Sequence, residues 1–133
     1  MKEIIKKIKK ANMVFTAGNG GSASTAEHLS NDLFSKGIPT MCLNSNGSIM
    51  TMIANDFGYV YTFSRQLKVL GSSDDLLITI SCSGDSINII NAVDVAEDMK
   101  MPVIEFEAFK KDRNYEKLED KHLQMVHKIK EAL

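Results

Sequence analysis

The chain has 133 residues, 44% of them apolar and 25% charged, with a formal net charge of -1. That length suits a single domain over residues 1–133 with a core of its own. A balance so near neutrality excludes the electrostatic footprint of a nucleic-acid binder or of a protein held on an anionic membrane. No apolar run approaches the ~20 residues that a spanning helix needs. The two cysteines, Cys42 and Cys82, lie far apart with no metal-type spacing, and read as reduced thiols. The N-terminus shows no apolar signal-peptide core, so a soluble, cytoplasmic protein is expected. The basic run from Lys6 to Lys10 reads as a solvated helix face.

Residues 2–11 read as a helix with Ile4, Ile5 and Ile8 on one face. Residues 12–17 read as a buried strand, and Gly18-Asn19-Gly20-Gly21 as a tight turn. A helix is predicted over 22–35, ended by Gly37, and a second strand over 39–43. After a polar loop, 48–55 reads as a short helix and 57–70 as a longer one. Residues 75–81 form a strongly apolar strand. A helix over 85–100 places Ile87, Ile90, Val93 and Ala96 near one face. A strand over 101–106, a polar loop over 107–114 and a helix over 115–132 complete the chain. The last helix has Leu118, Met125, Ile129 and Leu133 on its apolar side. His122 falls on that stripe and reads as structural.

Alternating strands and helices, with strands apolar on both faces, imply a parallel sheet covered by helices. Ligands of such sheets sit beyond the carboxyl ends of the strands. Two loops therefore carry the chemistry. The first, Gly18-Asn19-Gly20-Gly21-Ser22-Ala23-Ser24, joins a strand to a helix, so backbone N–H groups and hydroxyls can meet an anion at a helix N-terminus. It lacks the Gly-Lys-Ser/Thr of a Walker loop and the GxGxxG order of a dinucleotide site. The second, Ser81-Cys82-Ser83-Gly84-Asp85-Ser86, repeats the design after another apolar strand. Read alone, the first could be a mere chain reversal, and Ser83 or Asp85 a mere N-cap. Together they point to one shared phosphate. Ser83 as a hydrolase nucleophile is disfavoured, because Cys82-Ser83-Gly84 is not a GxSxG elbow.

Ile80-Ser81-Cys82-Ser83-Gly84-Asp85-Ser86 resembles the I-S-x-S-G-x-S signature of sugar isomerase (SIS) domains. Gly18-Asn19-Gly20-Gly21-Ser22-Ala23 resembles the G-N-G-G-S-A loop of the phosphoheptose isomerase branch. Ala54-Asn55-Asp56-Phe57-Gly58 and Phe63-Ser64-Arg65-Gln66-Leu67 agree with it as well. The resemblance implies a three-layer α/β sandwich with a flavodoxin-like parallel sheet of four to five strands. It implies a phosphorylated sugar held by Asn19, Gly20, Gly21, Ser22, Asn55, Asp56, Ser81, Cys82, Ser83, Ser86 and Glu119. The implied reaction interconverts sedoheptulose 7-phosphate and a heptose 7-phosphate through an enediol, with no required cofactor. Asp32 and His127 fall at the positions of the family's catalytic carboxylate and histidine. Some members bind zinc at the positions of His28, Asp32, Glu119 and His127. A homo-oligomer, dimer or tetramer, is implied too, with sites between subunits.

Three departures bear on that reading. Position 32 normally carries glutamate, one methylene longer, and position 119 glutamine. The stretch between Glu107 and Tyr115 is short, leaving no room for the family's fifth strand. The N-terminal helical region is also reduced. A non-catalytic sugar-phosphate sensor or protein-interaction module is therefore the alternative; SIS domains occur in regulators, and one close branch binds a bacterial replication initiator.

Overall fold

The computed structural model describes residues 1–109 and 113–133; residues 110–112 of the expected polar loop lie outside the described residues. Helix α1 (Lys2–Lys10) leads into β1 (Val14–Gly18), α2 (Gly21–Ser35), β2 (Thr40–Cys42) and α3 (Gly47–Asp56). Helix α4 (Ser64–Leu70), β3 (Leu76–Ile80), α5 (Ile87–Asp98), β4 (Val103–Glu105) and α6 (Tyr115–Ala132) follow. The four strands form one parallel sheet in the order β2-β1-β3-β4.

Every residue of β1 and β3 is buried, which is why both read as apolar runs rather than alternating ones. Alternate side chains feed two cores. Val14, Leu76, Ile78 and Ile80 pack with Ala26, Leu29 and Leu33 of α2 and Val126 and Ile129 of α6. Phe15, Ala17 and Leu77 pack on the other face with Leu67 of α4 and Ile89, Ala92 and Ala96 of α5. The three-layer sandwich expected from the sequence is thus formed, with four strands among the described residues. No helix among the described residues is long and apolar enough to cross a membrane.

Two expectations need correction. Residues 57–70 are not one helix: Gly58, at φ 111°, breaks the chain, a 3-10 turn spans Tyr59–Tyr61, and α4 begins at Ser64. The inward face of α5 is also rotated. Asn88, Ile89, Ala92 and Ala96 are buried, whereas Ile87 and Ile90 are exposed. Hydrogen bonds cause this: Asn88 Nδ2 donates to Asn19 Oδ1 at 2.9 Å and to Thr62 Oγ1 at 3.4 Å, so a polar residue claims an inward position. On α6, Leu118 and Ile129 are buried as expected, joined by His122 and Val126.

The end of β1 is where the fold becomes a site. Gly18 is clasped by Asn44, whose Oδ1 accepts from Gly18 N–H at 3.2 Å and whose Nδ2 donates to Gly18 O at 2.8 Å. A Cβ on Gly18 would collide with the backbone carbonyl of Ser22, so glycine lets α2 start immediately against the strand. Gly18→Ala should therefore cost about 1–3 kcal/mol, as overpacking against backbone does; urea unfolding followed by circular dichroism would measure it.

Candidate functional site

β1 and β3 are neighbours with Gly18 opposite Ile80, so the loops after them leave the sheet side by side. They enclose a cavity of about 160 Å³, with Asn19, Ser22, Ser81, Cys82, Ser83 and Ser86 on its wall. The structure thus brings Ser22 and Ser83 to one cavity. Gly20, at φ 57°, caps α2, and Gly21 is its first residue. Neither α2 nor α5 has a side-chain cap at its N-terminus, whereas α3 and α6 are capped by Asn46 and Asn114. Helices α1 and α4 also lack a side-chain cap, but α2 and α5 are the two that open at this cavity, where an anion can meet their free N–H groups. Ser81 Oγ accepts from Gly84 N–H at 3.1 Å and Ser83 Oγ from Asp85 N–H at 3.3 Å. These bonds orient the turn and leave each hydroxyl proton to donate. No histidine bonds to Ser83 among the described residues; its side-chain neighbour is Ser86 Oγ at 3.5 Å.

Other site residues divide unevenly. Asn19 lines the cavity, but its amide is paired with that of Asn88, Nδ2 donating to Oδ1 at 2.9 Å, and Tyr59 Oη donates to Asn19 Oδ1 at 3.1 Å. It clasps the first loop to α5 rather than offering a free amide. Asn55 and Asp56 are exposed at the end of α3, where Asn55 Nδ2 donates to Asp56 Oδ1 at 2.9 Å; neither lines the cavity. Asn44, Tyr59 and Asn88, absent from the expected set, do the positioning. Only the polar loop after β2 hinted at Asn44, and the apolar pattern of α5 concealed Asn88.

α6 closes the cavity with Tyr115 and Glu119. The Glu119 carboxylate rests against Gly21, where a Cβ would collide with it. Behind Ser22, Cys82 Sγ lies 3.9 Å from Ser22 Oγ and 3.9 Å from His122 Nδ1. His122 Nε2 lies 2.7 Å from Glu107 O, so it carries the proton as donor and Nδ1 is left to accept from the thiol. His122 is 3% exposed and structural, as expected. Burial pushes the Cys82 thiol above its ordinary value; the Ser22 hydroxyl lowers it and the Glu119 charge raises it further.

A second cluster lies further along the α2–α6 seam. The pairs Gly21–Glu119, His28–His127 and Asp32–Lys130 show that the two helices run parallel. His28 and His127 are exposed, with ring centroids 5.3 Å apart. Asp32, one turn on from His28, is 2% exposed. Its Oδ1 accepts from Lys130 Nζ at 2.6 Å, and its Oδ2 stands 3.3 Å from His28 Nε2 without a hydrogen-bond partner. The cavity wall does not include His28, Asp32 or His127. The four expected zinc ligands do not fit a metal as placed. Glu119 rests at the start of α2, about 12 Å along α6 from His127, and Asp32 already holds the Lys130 cation. Among the described residues no three His, Cys, Asp or Glu side chains are grouped to hold a metal ion.

Among the described residues, Glu119 is the charged one on a cavity otherwise walled by hydroxyls, a thiol, an amide, an apolar side chain and a phenol. Glu119→Gln should therefore tighten the binding of inorganic phosphate by about 10-fold or more, since like charges a few ångströms apart repel by kilocalories at an effective dielectric near 20. Titration calorimetry of both chains would read it. The raised Cys82 thiol should alkylate only at pH above the range of an unstructured cysteine, because less thiolate is present at any given pH. A pH series with iodoacetamide checks that.

The profile of the SIS domain family matches residues 1–107. The chain is 42% identical over 101 residues to the phosphoheptose isomerase of Aliarcobacter butzleri, covering 71% of this chain and 53% of that one. It is 38% identical over 107 residues to that of Helicobacter pylori, covering 76% and 56%. The chain thus spans about half the length of the curated relatives it matches. The solved structure of phosphoheptose isomerase GmhA from Neisseria gonorrhoeae superimposes with a TM-score of 0.89 at 26% identity, covering 98% of this chain and 80% of that one. The cavity between β1 and β3, the two serine-bearing loops and these matches agree: the chain belongs to the SIS domain family.

Proposed function

We propose that this chain binds a phosphorylated sugar and isomerises it between ketose and aldose, with sedoheptulose 7-phosphate as the substrate. The observation that carries the reading is the pair of side-chain-uncapped helix N-termini, α2 and α5, opening with Ser22, Ser81, Ser83 and Ser86 onto one cavity. Neutral donors and two helix dipoles suit a phosphate, and among the described residues no basic side chain lines that wall. The relatives named phosphoheptose isomerase support a seven-carbon sugar phosphate.

The isomerisation moves a proton between adjacent carbons through an enediol. It needs a base at one carbon and a proton carrier for the two oxygens. Asp32 and His127 are assigned these roles. They lie on the α2–α6 seam, with Asp32 about 15 Å along α2 from Ser22, so a long sugar phosphate suits the separation. Asp32 Oδ2 is buried, with the exposed His28 ring 3.3 Å away. Exposed Phe34, Phe57, Tyr59 and Val69 support a homo-oligomer, and both cysteines being free supports a cytoplasmic setting.

Turnover of sedoheptulose 7-phosphate, followed by discontinuous sugar analysis, is the expected result for the wild-type chain. His127→Ala and Asp32→Ala should each lower kcat by about 100-fold or more. Ser22→Ala and Ser83→Ala should instead weaken phosphate-dependent binding by roughly 10- to 100-fold. A wild-type chain that is stabilised by the sugar phosphate yet never turns it over would replace the enzyme by the sensor.

A further inference from the structure

We infer that Lys130 is the resident cation of Asp32: its ammonium holds Oδ1, leaves Oδ2 as the free oxygen, and takes the place on this carboxylate that a divalent metal would need. The part of this inference concerning Oδ2 as a base rests on the proposed isomerase reading; the exclusion of metal does not.

A carboxylate that is 2% exposed has lost its water and needs a cation or a set of donors. Lys130 meets that need across the seam, 98 residues away in sequence, with a 2.6 Å contact. His28 stands within ion-pair range of Asp32 but makes no hydrogen bond to it: its Nε2 is 3.3 Å from Oδ2, which has no hydrogen-bond partner. One oxygen is therefore fixed while the other keeps its lone pairs unspent. A buried carboxylate oxygen beside the His28 imidazole, whose ring centroid lies 5.3 Å from that of His127, would ordinarily suit a divalent ion, since carboxylate oxygen and imidazole nitrogen are both zinc ligands. Lys130 changes that chemistry in two ways. Its ammonium has donors and no lone pair, so it contributes nothing to coordination. A divalent ion at Oδ2 would also stand close to an existing positive charge, and the repulsion is large where water is excluded. Lys130 is 42% exposed on a long apolar stem, so its charge can be removed while the stem packing is kept.

The test uses the full chain as wild type, Lys130→Arg, Lys130→Met and Lys130→Met combined with His28→Ala. Each is titrated with zinc chloride, and melting temperature and retained metal after gel filtration are read. Wild type and Lys130→Arg should retain no stoichiometric zinc and show no shift. Lys130→Met should melt lower without metal, then gain roughly 10 °C at zinc about 100 times its Kd. It should hold one zinc per chain, and the added His28→Ala should abolish that gain. Lys130→Gln replaces Lys130→Met if the latter does not fold. Wild-type chain that holds zinc through His28, or a Lys130→Met chain that gains nothing, would overturn the inference. With chelator present, Lys130→Met should lower kcat by about 100-fold at unchanged KM, as a misplaced base does, and Lys130→Arg should restore it. A kcat equal to wild type would overturn the positioning role. Absence of wild-type turnover would remove the isomerase reading and the positioning role with it, while the zinc arms would still decide whether Lys130 excludes metal.

Discussion

The site depends on one constraint: β1 and β3 are adjacent, parallel and in register, so that Gly18 and Ile80 end at the same height. Both strands are buried along their whole length and feed both cores, so neither can slip without exposing apolar side chains on one face or the other. Fixed ends mean fixed loops. The first helix turns of α2 and α5 then converge on one volume because each helix must start beside its strand to pack back onto the sheet. Gly18 and the Asn44 clasp remove the remaining slack at the first loop, and the Asn19–Asn88 pair ties that loop to the second helix.

Backbone and side chains divide the work accordingly. The cradle is mostly main chain and hydroxyl, held by the sheet. The charged groups come largely from the α2–α6 seam, where Glu119, His127 and Lys130 of α6 meet Gly21, His28 and Asp32 of α2. Val126 and Ile129 alternate with these polar residues and are fully buried in the core shared with α2. The packing that stabilises α6 is thus also what sets the height of each polar residue along α2. A shift by one helical turn, about 5.4 Å, would separate all three pairs at once.

Strand positions were legible because buried parallel strands read as unbroken apolar runs, and residues 75–81 are the plainest case. The two loops were legible because glycine and serine cluster where few other residues satisfy the same geometry. The inward face of α5 was not legible: a buried amide at Asn88 displaces Ile87 and Ile90 outward, and hydropathy cannot anticipate a hydrogen bond formed across 69 residues. The break inside 57–70 escapes the sequence reading because Gly58 stands in an otherwise helical pattern, where a single glycine is tolerated at a cost of only ~1 kcal/mol. Lys130 gave no signal, since a lysine in a C-terminal helix reads as solvated. Its role exists only because α6 lies parallel to α2.

The family match and the seam chemistry occupy different parts of the chain. The family profile covers residues 1–107, which include both loops and all four strands but none of α6. The superposition on the Neisseria gonorrhoeae structure covers 98% of the chain, so the closing helix has its counterpart there in space. Family membership therefore speaks for the cradle, and the position of α6 speaks for where side chains can act upon whatever the cradle holds. Identity along α6 then decides the chemistry. A carboxylate at Glu119 places negative charge on the cavity wall, and an ammonium at Lys130 neutralises the buried carboxylate of Asp32. Two charged side chains on one helix, Glu119 and Lys130, thus set the charge at the cavity wall and at the buried carboxylate without any change in fold.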